Sequence, residues 1–198
     1  REIILAISVL FWTIRLSFFL FQRVKRVGKD ERFDNLKFSF SKFLLAWMTQ
    51  GLWVFICLLP ILIVFSSPNN NDITYLAFGG LTYLVGLVIE IIADYQKTIH
   101  NKLNNKKHEF ISSGLWSKSR HPNYFGEFLI WTGITIICFP VFSGFKYLAL
   151  ITPIFIYFLL NYISGVNLLE ERAKEMWGNN PEYVKYFKTT PKFFPKIF

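Results

Sequence analysis

The sequence predicts an all-α fold, a polytopic bundle of about five transmembrane helices followed by an amphipathic C-terminal segment. The chain is 53% hydrophobic and 19% aromatic, whereas an ordinary soluble domain is about 45–50% apolar. Its apolar residues gather into continuous blocks close to the roughly 20 residues that a helix needs to cross a bilayer. Strands of a membrane barrel would instead alternate polar and apolar residues. Helices are therefore the structure in which these blocks can satisfy their backbone hydrogen bonds within lipid.

Residues 1–198 are predicted to form a single membrane domain. The first apolar block contains Arg15 and lacks the small-residue cleavage pattern of a signal peptide, so we interpret it as a membrane helix. Because the chain begins at Arg1 directly against this block, we expect further helices upstream. An amphipathic segment with several aromatic and basic residues follows the last block. Taken alone, it is typical of a segment that only lies on the membrane surface, and the alternative is a cap on the cytoplasmic side that could close over a nucleotide. The predicted spans are residues 3–21, 43–65, 73–93, 124–142 and 145–163, and the predicted cap is residues 167–198.

The basic residues indicate membrane topology rather than a nucleic-acid partner. The formal net charge is +9, but the basic side chains fall in alternate loops, and the loop 66–72 contains none. The positive-inside rule places the three basic segments on the cytoplasmic or matrix side. We therefore expect an integral protein of an organellar or endoplasmic reticulum membrane in a eukaryote, or of the inner membrane in a bacterium. The basic residues are Arg23, Lys25, Arg26, Lys29, Arg32, Lys37 and Lys42, then Lys97, Lys102, Lys106, Lys107, Lys118 and Arg120, and finally Arg172, Lys174, Lys185, Lys188, Lys192 and Lys196.

Cysteine and histidine give no sign of a metal site. Cys57 and Cys138 both fall inside apolar blocks, where a thiol behaves as a small hydrophobic group. The histidines His100, His108 and His121 do not have the spacing of metal ligands. The sequence predicts no bound metal.

Four charged residues stand out within the predicted spans or directly at their ends. A charge in the bilayer costs about 2.5–3.5 kcal/mol on insertion scales and usually faces a protein interior or a polar cavity. Arg15 lies in the first span, Glu90 and Asp94 lie near the basic end of the third, and Glu127 lies one turn inside the fourth. Glu90 and Asp94 are four residues apart, so a helix places both carboxylates on one face. These residues predict a polar pocket, or alternatively an Arg15–carboxylate pair that only holds helices together.

The segment from Gly114 to Glu127 joins a basic loop to the fourth span. Pro122 suits the first turn of a helix, and Ser119 is a candidate capping residue just before it. The positive end of such a helix beside Arg120 and His121 favours a phosphate or a carboxylate. The alternative is a basic, aromatic helix end anchored at the lipid headgroups. Asn123, Tyr124 and Glu127 continue the polar stripe into the span.

At these residues the sequence resembles the membrane family called domain of unknown function 1295, which is related to steroid 5α-reductases. The resemblance extends over nearly the whole chain. The Arg120-His121-Pro122 element is also similar to isoprenylcysteine methyltransferases and sterol reductases. The segments that carry the resemblance are Trp12 to Leu16, Gly28 to Arg32, Glu90 to Gln96, Arg120 to Glu127 followed by Trp131, Ser164-Gly165, and Leu168 to Glu170.

The resemblance implies an NADPH-dependent reductase of a lipid or steroid-like enone. NADPH would lie between the helices and the cap, and a hydrophobic small-molecule substrate would enter laterally from the membrane. The reaction would reduce a carbon–carbon double bond conjugated to a carbonyl. The resemblance and the position of the polar stripe together predict cofactor contacts at Arg15, Asp94, Arg120, His121, Asn123, Tyr124 and Glu127, with Arg120 and His121 at the phosphates and Glu127 near the nicotinamide.

Trp12 departs from the reductase pattern. It corresponds to the tyrosine that polarises the substrate carbonyl in steroid reductases, and an indole can donate a hydrogen bond but does not readily deliver a proton. The carboxylate partner of that tyrosine would lie upstream of Arg1, so no catalytic residue is assigned. A histidine cluster of those enzymes is also replaced around Glu170 and Glu171. Two alternatives stay open: a non-catalytic subunit of a larger membrane complex, with other subunits as partners, and a methyltransferase that uses S-adenosylmethionine.

Overall fold

The apolar blocks form helices long and apolar enough to cross a membrane. The structure, a computed structural model, describes residues 1–27, 38–67, 72–103, 109–163 and 165–196. The described residues contain helices and no strand, so the predicted all-α bundle is confirmed and the chain is an integral membrane protein. Within the described ranges, five segments qualify as spans by length and composition: Glu2–Gln22, Phe40–Phe65, Ile73–Leu103, Pro122–Val141 and Gly144–Trp177.

The described residues form seven α-helices and several tighter or wider helical turns. The α-helices are α1 Glu2–Val27, α2 Phe40–Phe65, α3 Ile73–Leu103, α4 Pro122–Cys138, α5 Ile151–Phe158, α6 Val166–Trp177 and α7 Pro181–Thr189. Turns of 3₁₀ helix cover Gly114–Ser117, Phe139–Val141 and Gly144–Leu150, and a π-helical turn covers Leu159–Ile163.

The structure differs from the predicted spans mainly at their ends. Helix α3 continues to Leu103, because a helix does not need apolar residues once it has left the lipid. The fifth span is not one regular helix, since a 3₁₀ segment precedes α5 and a π-helical turn follows it. Helices α6 and α7 occupy most of the segment predicted as the cap.

Helices α3 and α4 pack most closely, through two pairs of glycines. Gly79 lies against Gly133, and Gly86 lies against Gly126. The two glycines of each helix are seven residues apart, close to two helical turns, so both lie on one face. A Cβ atom on Gly86 would lie 2.6 Å from the carbonyl oxygen of Gly126. Small residues let membrane helices approach this closely, and here they bring the polar residues of α3 beside those of α4.

The other spans pack around the α3–α4 pair. The Tyr83 hydroxyl on α3 donates to the Ser8 carbonyl on α1 at 2.8 Å. The Thr152 hydroxyl on α5 donates to the Ile56 carbonyl on α2 at 2.7 Å. Large apolar side chains on the outer faces of α1 and α2 are exposed, as lipid contact requires.

Some residues singled out in the sequence lie outside the described part of the chain. They are the segment Gly28 to Arg32, Lys37, residues 68–71 of the loop without basic residues, Lys106, Lys107, His108, Ser164, and the side chains of Arg23 and Arg26.

Candidate functional site

A buried polar cluster joins helices α1, α3 and α4 inside the bundle. The guanidinium of Arg15 forms an ion pair with Glu90 Oε1, and its Nη1 donates to Asp94 Oδ2 at 3.3 Å. Asn123 Nδ2 on α4 donates to Asp94 Oδ1 at 3.4 Å. Glu127, one turn further along α4, lies within electrostatic range of Arg15 and Asp94. The convergence of these side chains from separate spans is therefore present, while their cofactor-binding role stays a prediction.

The cluster is almost closed to solvent and is rich in carboxyl groups. Glu90, Asp94 and Glu127 are 4%, 7% and 9% exposed. One guanidinium, that of Arg15, faces the three acids. A buried ion pair needs close geometry and further hydrogen bonds to offset the cost of removing charge from water. Arg15 binds two carboxylates of α3 at once, and Asn123 on α4 adds a hydrogen bond to one of them. These contacts also tie the three helices together, so both alternatives drawn from the sequence stay open.

Two tryptophans extend the polar cluster by one turn toward the middle of the bundle. The rings of Trp12 on α1 and Trp131 on α4 pack edge to face, with their centroids 5.1 Å apart. Trp131 lies four residues after Glu127, on the same face of α4. Four buried polar atoms from this region have no hydrogen-bond partner within the described chain: Trp12 Nε1, Arg15 Nε, Glu90 Oε2 and Trp131 Nε1. Buried polar groups in native proteins are normally satisfied, so these four atoms mark a place for a polar ligand or water.

The sequence did not identify Trp131 as a site residue. Its spacing of four from Glu127 was the available signal, because that spacing places both side chains on one helical face. An indole in a membrane helix is otherwise read as an apolar group, so nothing in the sequence showed that its N–H would be buried without an acceptor.

The segment before α4 folds back onto α3 near Asp94. Gly114 has a φ of 62°, in the left-handed region that glycine tolerates, and it leaves room for the Gln96 side chain. Gln96 Oε1 accepts from the Leu115 backbone N–H at 3.0 Å, and the Trp116 indole donates to the Ala93 carbonyl at 3.1 Å. These bonds hold the segment that leads into α4 against the part of α3 that contains Asp94.

Helix α4 begins at Pro122, as the sequence predicts, but Ser119 has a different partner from the expected one. The residue at the helix cap is His121, whose side chain makes no capping bond. The Ser119 hydroxyl donates to the Phe193 carbonyl at 2.9 Å and accepts from the His121 backbone N–H at 3.2 Å. Ser119 therefore joins the C-terminal tail to the start of α4.

Arg120 holds the C-terminal helices against the bundle. Its Nε and Nη2 donate to Glu170 Oε1 on α6 at 2.9 and 2.8 Å, and its Nη1 donates to the carbonyls of Phe187 and Thr190 at 2.5 and 3.0 Å. Its guanidinium carbon also lies 4.0 Å from the centre of the Phe187 ring. We call this set of contacts the Arg120 latch. Since the latch occupies all three guanidinium nitrogens, the predicted phosphate contact of Arg120 stays a prediction that this geometry does not favour.

His121 takes part in the same arrangement. Its Nε2 lies 3.3 Å from Glu170 Oε1, and its ring stacks on Tyr124 with centroids 5.8 Å apart. Burial lowers the pKa of His121, and the nearby Glu170 carboxylate only partly opposes this effect. A neutral imidazole is a weak phosphate ligand. His121 and Tyr124 thus lie with the latch, whereas Arg15, Asp94, Asn123 and Glu127 form the membrane cluster.

Replacing Arg120 with lysine is expected to loosen the cap and to lower stability by about 2 kcal/mol, because an ammonium cannot reproduce the fork of bonds to one carboxylate and two carbonyls. Hydrogen–deuterium exchange should show faster exchange of the α7 amides. Arg172→Lys, at an exposed position of α6, is the matched control and should leave exchange unchanged. Equal protection of α7 in both variants would contradict the latch.

No metal site is evident in the described ranges. They contain no group of three or more His, Cys, Asp and Glu side chains with an arrangement that could hold a metal ion.

Helical packing and the buried polar cluster define a polytopic membrane protein with a candidate site between its spans. The sequence model of the family described as "Protein of unknown function (DUF1295)" matches residues 1–190, and the chain belongs to this family. No curated protein and no solved structure matches the chain.

Proposed function

We propose that this protein is a membrane-embedded NADPH-dependent reductase that acts on a lipid or steroid-like enone. The observation that supports the proposal most is the meeting of Arg15, Asp94, Asn123 and Glu127, from three spans, at one buried place. Charged groups at such depth usually serve a substrate or ion pathway. The resemblance of the same residues to steroid 5α-reductases supplies the reaction class.

The membrane cluster fits the uncharged polar parts of the cofactor. The Asp94 carboxylate and the Asn123 amide can bind hydroxyl groups of the cofactor. The phosphates fit less directly, since they would have to compete with Glu170 for Arg120. NADPH, when bound, supplies a hydride for the reduction of a conjugated double bond. The chain's own residues bind and orient the reactants, and the apolar helices around them exclude water.

We place the cap on the cytoplasmic or matrix side, because it carries basic residues of the third basic segment. The membrane is then organellar or endoplasmic reticulum in a eukaryote, or the inner membrane in a bacterium. A cofactor from the aqueous phase would reach the cluster from this side, where α6 and α7 lie over the start of α4. A lipid substrate would arrive from the bilayer.

NADPH is expected to raise the melting temperature of the purified protein, by mass action on the folded state. The Glu127→Gln variant keeps the size of the side chain and is expected to bind NADPH about tenfold more weakly, as loss of one charged hydrogen bond predicts. The exposed Glu175→Gln variant is the matched control. Binding curves come from thermal shift against cofactor concentration.

The same thermal assay distinguishes the three candidate functions: reductase, methyltransferase and accessory subunit. Stabilisation by S-adenosylmethionine and not by NADPH would support the methyltransferase. Stabilisation by neither, with an intact fold, would exclude the reductase and leave the accessory subunit.

A non-catalytic subunit is the second candidate, and two observations favour it. Glu170 and two backbone carbonyls already occupy Arg120, and Trp12 stands where the related reductases have a tyrosine. Purification from native membranes under mild detergent tests this candidate. A stable complex whose other members are lost when outer residues of α1 are changed would support it, while a monomer that turns over NADPH would exclude it.

A further inference from the structure

The four unpartnered polar atoms of the membrane cluster indicate which chemical groups a bound molecule would have to offer. Three are N–H donors, on Trp12, Trp131 and Arg15, and the fourth is the acceptor oxygen Glu90 Oε2. They belong to one continuous region. The indole rings of Trp12 and Trp131 are in contact, Arg15 follows Trp12 by one helical turn, and the Arg15 guanidinium holds the other oxygen of Glu90.

Bulk water does not reach at least part of this set of atoms. Trp131 is 2% exposed and Glu90 is 4% exposed. A buried donor or acceptor without a partner costs about 1–3 kcal/mol. A cluster of such atoms in one place is therefore more than a packing defect, and it indicates a ligand that offers matching groups.

The charges of the region favour a neutral ligand. Arg15 is the cation of the cluster, and Glu90 and Asp94 already bind it. Glu127 adds a third carboxyl group within electrostatic range. A fatty acid carboxylate or a phosphate would place another negative charge beside the Glu90 and Asp94 carboxylates in a medium of low polarity, where repulsion is strong.

The pattern of donors and acceptors narrows the ligand further. An ester or an isolated ketone offers only acceptor oxygens, so it can satisfy the indole N–H groups but leaves Glu90 Oε2 without a donor. A carbonyl with an N–H or O–H group one or two bonds away satisfies both sides at once. Amides and hydroxy ketones have this pattern.

We propose that the Trp12–Trp131 pair, with Arg15 and Glu90, binds a neutral lipid whose headgroup is an amide or a hydroxy ketone. Its carbonyl accepts from the indole N–H groups and its N–H or O–H donates to Glu90 Oε2. The inference rests on the proposed function only in treating this lipid as the substrate. It narrows the substrate from a conjugated carbonyl compound in general to one that also carries a hydrogen-bond donor.

Saturation binding to the protein in lipid nanodiscs, without NADPH, tests the proposal with matched tritiated probes. The first pair is a long-chain fatty amide and the methyl ester of the same acid, and the second is a long-chain hydroxy ketone and the ketone without the hydroxyl. We expect the donor-bearing member of at least one pair to bind about tenfold more tightly, and the free fatty acid to bind more weakly than the amide. Equal affinity within both pairs, or tightest binding of the acid, would overturn the proposal.

Trp131→Phe keeps an aromatic ring in place and removes the N–H, so it should weaken binding of the amide and the ester alike by about tenfold. Trp47→Phe, at an exposed position of α2, is the control and should change neither. Unchanged binding in Trp131→Phe would also overturn the proposal. NADPH is left out of these measurements, so the two proposals can fail separately. A protein that shows this probe pattern but does not bind NADPH would reject the reductase alone. A protein that binds NADPH but lacks this probe pattern would reject the lipid site alone.

Discussion

Replacing Arg15 with leucine is expected to lower the stability of the protein by about 3–5 kcal/mol, the cost of breaking a buried ion pair by removing one partner. The variant would leave Glu90 and Asp94 facing each other on α3 without a cation, and Glu127 beside them. Unfolding in a graded mixture of denaturing and mild detergent, followed by circular dichroism, measures the change. The effect should be among the largest of any single substitution, since the guanidinium joins α1 to two acids on α3.

Two further variants decide why Arg15→Leu loses stability. Lys25→Leu removes a positive charge from the exposed end of the same helix and should have little effect. The triple variant Arg15→Leu, Glu90→Leu and Asp94→Leu removes the acids as well, and it should recover much of the loss because apolar residues can replace a whole buried ion cluster. A triple variant no more stable than Arg15→Leu would show that the loss comes from packing rather than from uncompensated charge.

The sequence predicts the spans well and their ends poorly, for a physical reason. Lipid requires an apolar surface over the length of a span, so the five blocks are visible in the composition. Beyond the lipid, a helix such as α3 continues on local hydrogen bonds that leave no apolar pattern, and it therefore ends at Leu103 rather than at residue 93. The irregular turns around α5 likewise leave the composition of the fifth block unchanged.

The sequence likewise reveals some residues of the candidate site and not the partners of others. Arg15, Asp94 and Glu127 could be found from the sequence because charge inside a span is costly and has to be matched. The partner of Arg120 could not, because Glu170 lies 50 residues later and faces Arg120 only through the packing of α6 on the bundle. The sequence alone predicts that Arg120 is a free cation at a helix end, whereas in the structure Arg120 binds Glu170 and holds the cap.

Replacing Gly133 with alanine is expected to destabilise the α3–α4 pair by about 2 kcal/mol or more, in the upper part of the range for overpacking. The added Cβ atom would lie 2.5 Å from the Tyr83 backbone nitrogen and 2.6 Å from the Gly79 carbonyl oxygen. Both are main-chain atoms, so no side chain can rotate away and the two helices have to separate. The same detergent unfolding experiment measures the loss.

Gly80→Ala provides the control within α3, since Gly80 is next to Gly79 and a Cβ atom there meets nothing within 4 Å. Alanine is the better helix former by about 1 kcal/mol, so this variant should be as stable as the original protein or more so. Similar losses in Gly133→Ala and Gly80→Ala would contradict close helix contact as the cause.

Because Gly126 packs against Glu90 on the same interface, separation of the helices should also move Glu90 away from Glu127. Gly133→Ala is therefore expected to weaken NADPH binding as well, although it lies two turns from Glu127, whereas Gly80→Ala is expected to leave that binding unchanged.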